Sequence, residues 1–573
     1  MSAITQTVNI LKDALQTDEA TAKLVISLLA GYPIALLYTL FIKLFPKNIK
    51  NLYILVTGLI ICFWNFGYGT FHLLTGISIS FSMLSFRQVD MKSVLLIIII
   101  NLSYLFYGYF QFLNQPATIS WTTPYCILCL RLIGVAWDMF DGQKPKEKLS
   151  EYQKRVAFRD VPGVLEFYSF CFVPTAFIAG PQFPIRHYQM FVSRDLRPTE
   201  IFTFRTWYSN LYHNKMIQRV FTRLAMATIY LFAYIKITPL VPIEELRARE
   251  FLEERSLFYK LTFAAVFAKM CLIKYFICWL IGEGACVLLG LGCTGRVIVT
   301  ELEKKDDSNE GRKNAVLSDA NAGQFHREIN VKELHKDLKA GKIKVREAEH
   351  NACANVSVMR FEFATNTDGL VSGHNINTNK WMLEYVYKRF RFLNNKYLSQ
   401  IFTLAFLAFW HGIYTGYYVC FFLELITVIV EKDMLTLTRL SVHADKLYGT
   451  VFGKILLSVA GKIHVFYLLG SPLVAFNLLN LEHYLPYLKS VYFIPFIYMV
   501  WPLARPLFVM VFKKKRSSKG KDQEPSVNSD SASDRSKPNQ MTDGELRKRT
   551  VAFNDDKPTD IDTLRFGIHV TDI

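Results

Sequence analysis

The run SVLLIIIINLSYLFYGYF, residues 93–110, has no charged side chain along its whole length. A stretch of about 20 apolar residues matches the hydrocarbon thickness of a bilayer. There the backbone must satisfy its own hydrogen bonds, which leaves a helix as the natural form for a single segment. Comparable runs fall at 24–44, 52–66, 68–86, 92–112, 121–140, 164–183, 221–241, 257–292, 401–430, 455–480 and 490–512. The expected fold is therefore all-α and polytopic, with about ten or eleven spans, residues 257–292 being split into two short helices. Pro33, Pro174, Pro181, Pro472, Pro495 and Pro502 lie within these runs. Such breaks are tolerated where neighbouring protein takes up the freed backbone groups, which favours a packed body over isolated anchors.

Composition agrees with that reading. The chain is 51% hydrophobic and 14% aromatic. Its net charge of +18, from 66 basic and 48 acidic residues, arises mostly beside the apolar runs. That pattern serves membrane orientation and contact with anionic head groups and calls for no nucleic acid. The ten cysteines show neither metal-ligand spacing nor a disulfide framework, so free buried thiols and no metal are expected.

The chain divides into a polar amphipathic segment at 1–23, a first membrane part at 24–298, a charged aqueous insertion at 299–347, a second membrane part at 348–512, and a tail at 513–573 that begins KKKRSSKGK. The insertion and the tail are poor in large apolar residues and are expected to be disordered.

Polar groups inside apolar runs cost energy and mark the protein interior. Arg131, Lys269, Lys274, Glu283, Lys462 and His464 are such groups. Most are read as structural, with Glu283 pairing Lys274 or Lys269. His411, in AFLAFWHGIYTGYYV, lies beside a stripe of small residues, Ala408, Gly412, Gly416 and Cys420, suited to close helix approach. Tyr414, Thr415 and Tyr418, at i+3, i+4 and i+7 from it, are expected to share its face and supply hydroxyls. His411 is then either a core histidine bonded to a backbone carbonyl or a general base, imidazole being the side chain suited to base work near neutral pH. Upstream, Asn375, Asn377 and Asn379 precede Trp381, and Thr378 or Asn379 could cap a helix starting near Lys380. Lys388, Arg389, Arg391 and Lys396 give its continuation a basic side. Asn355-Val356-Ser357 is a glycosylation sequon whose exposure the sequence leaves open.

Five runs in order, IGVAWDMFDG (133–142), AGPQFPIRHY (179–188), KYFICWLIGEGACVLLGLG (274–292), NINTNKW (375–381) and LSQIFTLAFLAFWHGIYTGYYVCFFLE (398–424), resemble the membrane-bound O-acyltransferase family. The resemblance implies a helical chamber with a catalytic histidine and asparagine, which fall on His411 and Asn375. It implies acyl-CoA as co-substrate, no cofactor, and residence in the endoplasmic reticulum membrane. The NINTNKW and AGPQF runs favour the phospholipid-acylating branch. The expected reaction is then transfer of a polyunsaturated acyl group to the free sn-2 hydroxyl of lysophosphatidylcholine and its ethanolamine and serine counterparts. The insertion and tail exceed the expected family length and bear on regulation more than on chemistry. The alternatives are a family member acylating a protein or sterol, or a multi-span transporter with an intramembrane histidine. The sequence offers no inverted repeat for the latter. It leaves the oligomeric state open.

Overall fold

In the computed structural model, the structure describes residues 3–15, 17–86, 88–113, 119–193, 215–294, 298–301, 343–346, 350–439 and 449–512. The tail and most of the charged insertion lie outside the described residues. Strands Ile298–Glu301 and Ile343–Arg346 pair antiparallel where the insertion leaves and rejoins the body, with Ile298 opposite Arg346 and Glu301 opposite Ile343.

Among the described residues, seven helices are long and apolar enough to cross a membrane, or eight if the pair Leu481–Ser490 and Ile494–Met510, bent by 78°, is one broken span. The count falls below ten or eleven for identifiable reasons. Residues 52–66 and 68–86 belong to one run, Lys47–Ser85, turned by a short 3-10 step at Gly67–Gly69. Residues 164–183 form only the helix Val164–Cys171 followed by turns. Residues 401–430 break at Gly412 into Lys396–His411 and Thr415–Arg439.

The 257–292 region is one helix, Leu257–Leu289, not two. Its 33 residues rise about 50 Å, well beyond a hydrocarbon core of about 30 Å, so it must tilt or project. Ser256 caps its start, accepting a bond from the Tyr259 amide, and Gly290 ends it in the left-handed region at φ +96°. Glu283, fully buried on this helix, is held by Arg219 (2.8 Å) and Arg223 (2.7 Å) of the neighbouring Lys215–Ile237 helix. The expected partners Lys274 and Lys269 lie elsewhere. Lys269 pairs with Glu362 at 2.7 Å, and Lys274 sits over the Tyr275 ring. A buried carboxylate takes the cations that packing brings closest, and here those come from a different helix.

The Thr122–Gly142 helix is the interior post, buried along most of its length. That explains its polar residues, because it faces protein and not lipid. Arg131, 2% exposed, donates to four backbone carbonyls, those of Phe170, Cys171, Ala176 and Pro181, at 2.6–3.2 Å. One guanidinium thereby satisfies the non-helical turns after Val164–Cys171. The outer helices instead turn large apolar side chains outward. Ile60, Ile99 and Phe232 are 63%, 59% and 65% exposed, as a lipid-facing surface requires.

The close approach expected at Gly416 is present. Its amide donates to the Leu479 carbonyl at 2.8 Å, and a Cβ built there would lie 2.0 Å from the Ala475 carbonyl oxygen. Gly416→Ala must therefore push the Thr415–Arg439 helix off Gly470–Leu478. The expected cost is about 1–3 kcal/mol or more, seen as a lower melting temperature of the purified protein in detergent. An unchanged melting temperature would mean that these helices do not pack this closely.

Candidate active site

The histidine helix starts at Lys396, capped by the Asn395 side chain, which accepts from the Tyr397 and Leu398 amides at 3.0 and 3.1 Å. It ends at His411 because Gly412 adopts φ +137°, a conformation that side-chain-bearing residues rarely take. The Gly412 amide then bonds back to the Ala408 and Phe409 carbonyls. So the glycine after the histidine stops the helix and leaves the imidazole at its C-terminus. This break also undoes the shared face expected for Tyr414, Thr415 and Tyr418. Tyr414 donates to the Leu113 carbonyl, Thr415 to the Leu479 carbonyl, and Tyr418 is 40% exposed.

The residues before His411 are fixed from two sides. The Trp410 indole donates to the Cys126 carbonyl at 3.0 Å, and Tyr109 donates to the Trp410 carbonyl at 2.9 Å. Phe409 stacks on Phe106 with centroids 3.9 Å apart. The half-buried imidazole is thereby held among Phe421 (5.3 Å), Phe476 (5.3 Å) and Tyr417 (5.7 Å). Among the described residues, neither ring nitrogen has a hydrogen-bond partner in the protein. A core histidine bonded to a carbonyl is therefore not what is found here.

The asparagine segment opens another helix. The helix Ile376–Tyr385 begins directly after Asn375, not near Lys380, and neither Thr378 nor Asn379 caps it. Asn375 occupies the left-handed region, φ +48° and ψ +44°, and its side chain makes no capping bond. Asparagine tolerates this conformation better than most residues. The three asparagines separate by role. Asn377 donates to the Ala354 carbonyl at 3.0 Å. Asn379 donates to the carbonyls of Val371 (3.0 Å) and His374 (2.8 Å), tying the turn together. Only Asn375 keeps an NH2 with no acceptor among the described residues; its Oδ1 accepts from Asn355 Nδ2 at 3.1 Å. Asn355 itself is 3% exposed and bonded within the protein, so the sequon it begins is not an open glycosylation site.

His374, adjacent to Asn375, is a residue the sequence reading passed over. Its ring packs among Trp279 (5.1 Å), Phe276 (5.7 Å) and Phe361 (6.2 Å), and its Nε2 is buried without a partner. It lies within electrostatic reach of His411. His374 is thus the residue through which the asparagine segment comes into reach of the histidine.

Both segments hang on the Thr122–Gly142 helix. Tyr385 donates to Asp138 Oδ1 at 2.8 Å, and Arg389 grips Asp141 with two bonds of 2.9 and 2.6 Å. Trp381 comes within 3.2 Å of a Cβ built on Gly134 and stacks with Phe406 of the histidine helix. The acidic residues of IGVAWDMFDG are therefore fasteners. Arg389, one of the four residues of the expected basic side, is occupied by Asp141. Lys388 pairs with Glu384 at 2.6 Å.

Comparison with known proteins supplies the family. The family model for MBOAT, the membrane-bound O-acyltransferase family, matches residues 106–470. Lysophospholipid acyltransferase 5 of Homo sapiens is 32% identical over 86% of this chain and 89% of its own length. The Drosophila melanogaster protein of the same name is 29% identical over 87% and 90%. A lysophospholipid acyltransferase of Schizosaccharomyces pombe is 24% identical over 84% and 85%. The polytopic helical body, its interior His411 and Asn375, and the match across most of the chain lead to one conclusion: this protein belongs to the membrane-bound O-acyltransferase family and is a multi-pass membrane O-acyltransferase.

Proposed function

We propose that the chain is a lysophospholipid acyltransferase of the endoplasmic reticulum membrane. It moves a polyunsaturated acyl group from acyl-CoA to the free sn-2 hydroxyl of lysophosphatidylcholine and its ethanolamine and serine counterparts. The observation that carries the acceptor class is the similarity, over more than four-fifths of each chain, to proteins named for that reaction.

An alcohol is a poor nucleophile until a base takes its proton in the transition state. His411 is that base: among the described residues its ring nitrogens bond to no protein group. It stands at a helix C-terminus, where the partial negative charge favours the imidazolium formed on proton transfer. The hydroxyl oxygen attacks the thioester carbon, and the new C–O bond forms as the C–S bond breaks. The leaving thiolate takes the proton back from His411, giving free coenzyme A thiol. The charge developing on the carbonyl oxygen is met by the NH2 of Asn375, which has no acceptor among the described residues. Direct attack needs no acyl-enzyme. Enclosure by aromatic side chains keeps water, the competing acceptor, from the base.

The test is a matrix of acyl-CoA and lysophospholipid substrates with the purified full-length protein. The expected products are diacyl phospholipids from the choline, ethanolamine and serine acceptors, formed faster with polyunsaturated donors. Acylation of a sterol or peptide with no product from any lysophospholipid would assign the chain to another acceptor class.

A further inference from the structure

We infer that Asn355 is a positioning residue for acyl transfer: it locks the Asn375 side chain in the orientation that turns its NH2, not its carbonyl, toward the reaction. The inference rests on the reading of Asn375 as the donor to the oxyanion.

The orientation follows from a chain of bonds with a fixed start. The backbone N–H of Asn377 can only donate, and it donates to the Asn355 side chain at 3.0 Å. The atom it meets must therefore be Asn355 Oδ1, which makes the other end of that amide the NH2. That NH2 faces the Asn375 side chain at 3.1 Å, so the Asn375 atom receiving it must be Oδ1. The remaining Asn375 atom is then the NH2. Two side-chain amides are thus set in series by one backbone group, and neither can flip without leaving two donors facing each other.

The rest of the surroundings holds Asn355 in place. It is 3% exposed, its backbone carbonyl accepts from the Ile376 amide at 3.0 Å, and the preceding Ala354 carbonyl accepts from Asn377 Nδ2 at 3.0 Å. The segment around Asn355 is therefore stitched to the first turn of the Ile376–Tyr385 helix. Asn375 itself is in the left-handed region with no capping bond, so nothing else on its own helix fixes its amide. Burial and a bond to Asn375 alone would be compatible with a merely structural role. The directed series of donors and acceptors is what gives Asn355 a consequence for the chemistry.

Asn355→Asp separates the two roles. A carboxylate still accepts from the Asn377 amide, but it can no longer donate to Asn375. It would draw the Asn375 NH2 toward itself and leave the Asn375 carbonyl facing the reaction. With the purified full-length protein, Asn355→Asp and Asn355→Ala are expected to lower kcat by about ten- to a hundredfold. KM for acyl-CoA and for lysophosphatidylcholine should stay within about twofold. In an Asn375→Ala background, adding Asn355→Ala should change kcat by less than about twofold, since the group it orients is gone. Wild-type kcat in a folded Asn355→Asp protein, or losses that multiply in the double variant, would overturn the inference while leaving Asn375 as the donor. Wild-type activity in Asn375→Ala would instead remove the underlying reading and the inference with it. If the first two variants lose their melting transition, Asn355→Leu, which fills the same volume and donates nothing to Asn375, carries the same expectation and the same refutation.

Discussion

Replacing His411 by alanine is expected to lower kcat about a hundred- to ten-thousandfold, the usual worth of a positioned general base, with folding intact. The argument has two parts. The first is chemical. The side chains packed against the ring, Phe421, Phe476, Trp410 and Tyr417, offer no base to replace it. The second is structural. The histidine helix is anchored by bonds from the Trp410 indole and to the Trp410 carbonyl, and its end is set by Gly412. None of these involves the His411 side chain, so its removal leaves the frame standing. His411→Gln, which keeps polarity and length without the basicity, should be as inactive as the alanine variant. An alanine variant that folds and retains wild-type turnover would exclude His411 as the base.

The second large effect is expected at Asn375. Loss of one preorganised donor to an oxyanion costs about a hundred- to a thousandfold in kcat, and Asn375→Ala should fall in that range with substrate KM values little changed. The contrast with Asn379 is informative. The assignment of catalysis to Asn375 leaves Asn379 without a chemical role. Its side chain, however, bonds the carbonyls of Val371 and His374, closing the turn that leads into Asn375. Asn379→Ala should therefore lower the melting temperature and reduce activity in step with the folded fraction, whereas Asn375→Ala should lose activity at an unchanged melting temperature. The reverse pattern would exchange their roles.

How much of this was legible beforehand depends on the range of the interaction involved. The apolar runs gave the helices, since hydrophobic length is a local property, and the WHG triplet with its small-residue stripe gave His411 and the close contact at Gly416. The neighbours of His411 were misjudged because the helix stops at Gly412, so positions three and four residues beyond it no longer share its face. Phe476, which forms part of the wall, is 65 positions away in the chain and left no local signal. The partners of Glu283 failed for the same reason. Lysines on its own helix looked closest in sequence, but Arg219 and Arg223 arrive through helix packing. Among the asparagines, sequence spacing could not decide which amide stays free. That is set by carbonyls presented from Ala354, Val371 and His374, in turns whose geometry no periodicity encodes. Asn355 sits in such a segment, and the sequon it begins drew attention to the surface, though the side chain is buried.

The most direct test measures thiol release and diacyl phospholipid together, with purified wild-type and His411→Ala proteins supplied with a polyunsaturated acyl-CoA and lysophosphatidylcholine. Direct transfer at His411 predicts one thiol per diacyl lipid in the wild type, negligible thiol release when the lysophospholipid is omitted, and neither product above background in the variant. Equal rates in the two proteins, or thiol release from the wild type that proceeds without an acceptor, would contradict it.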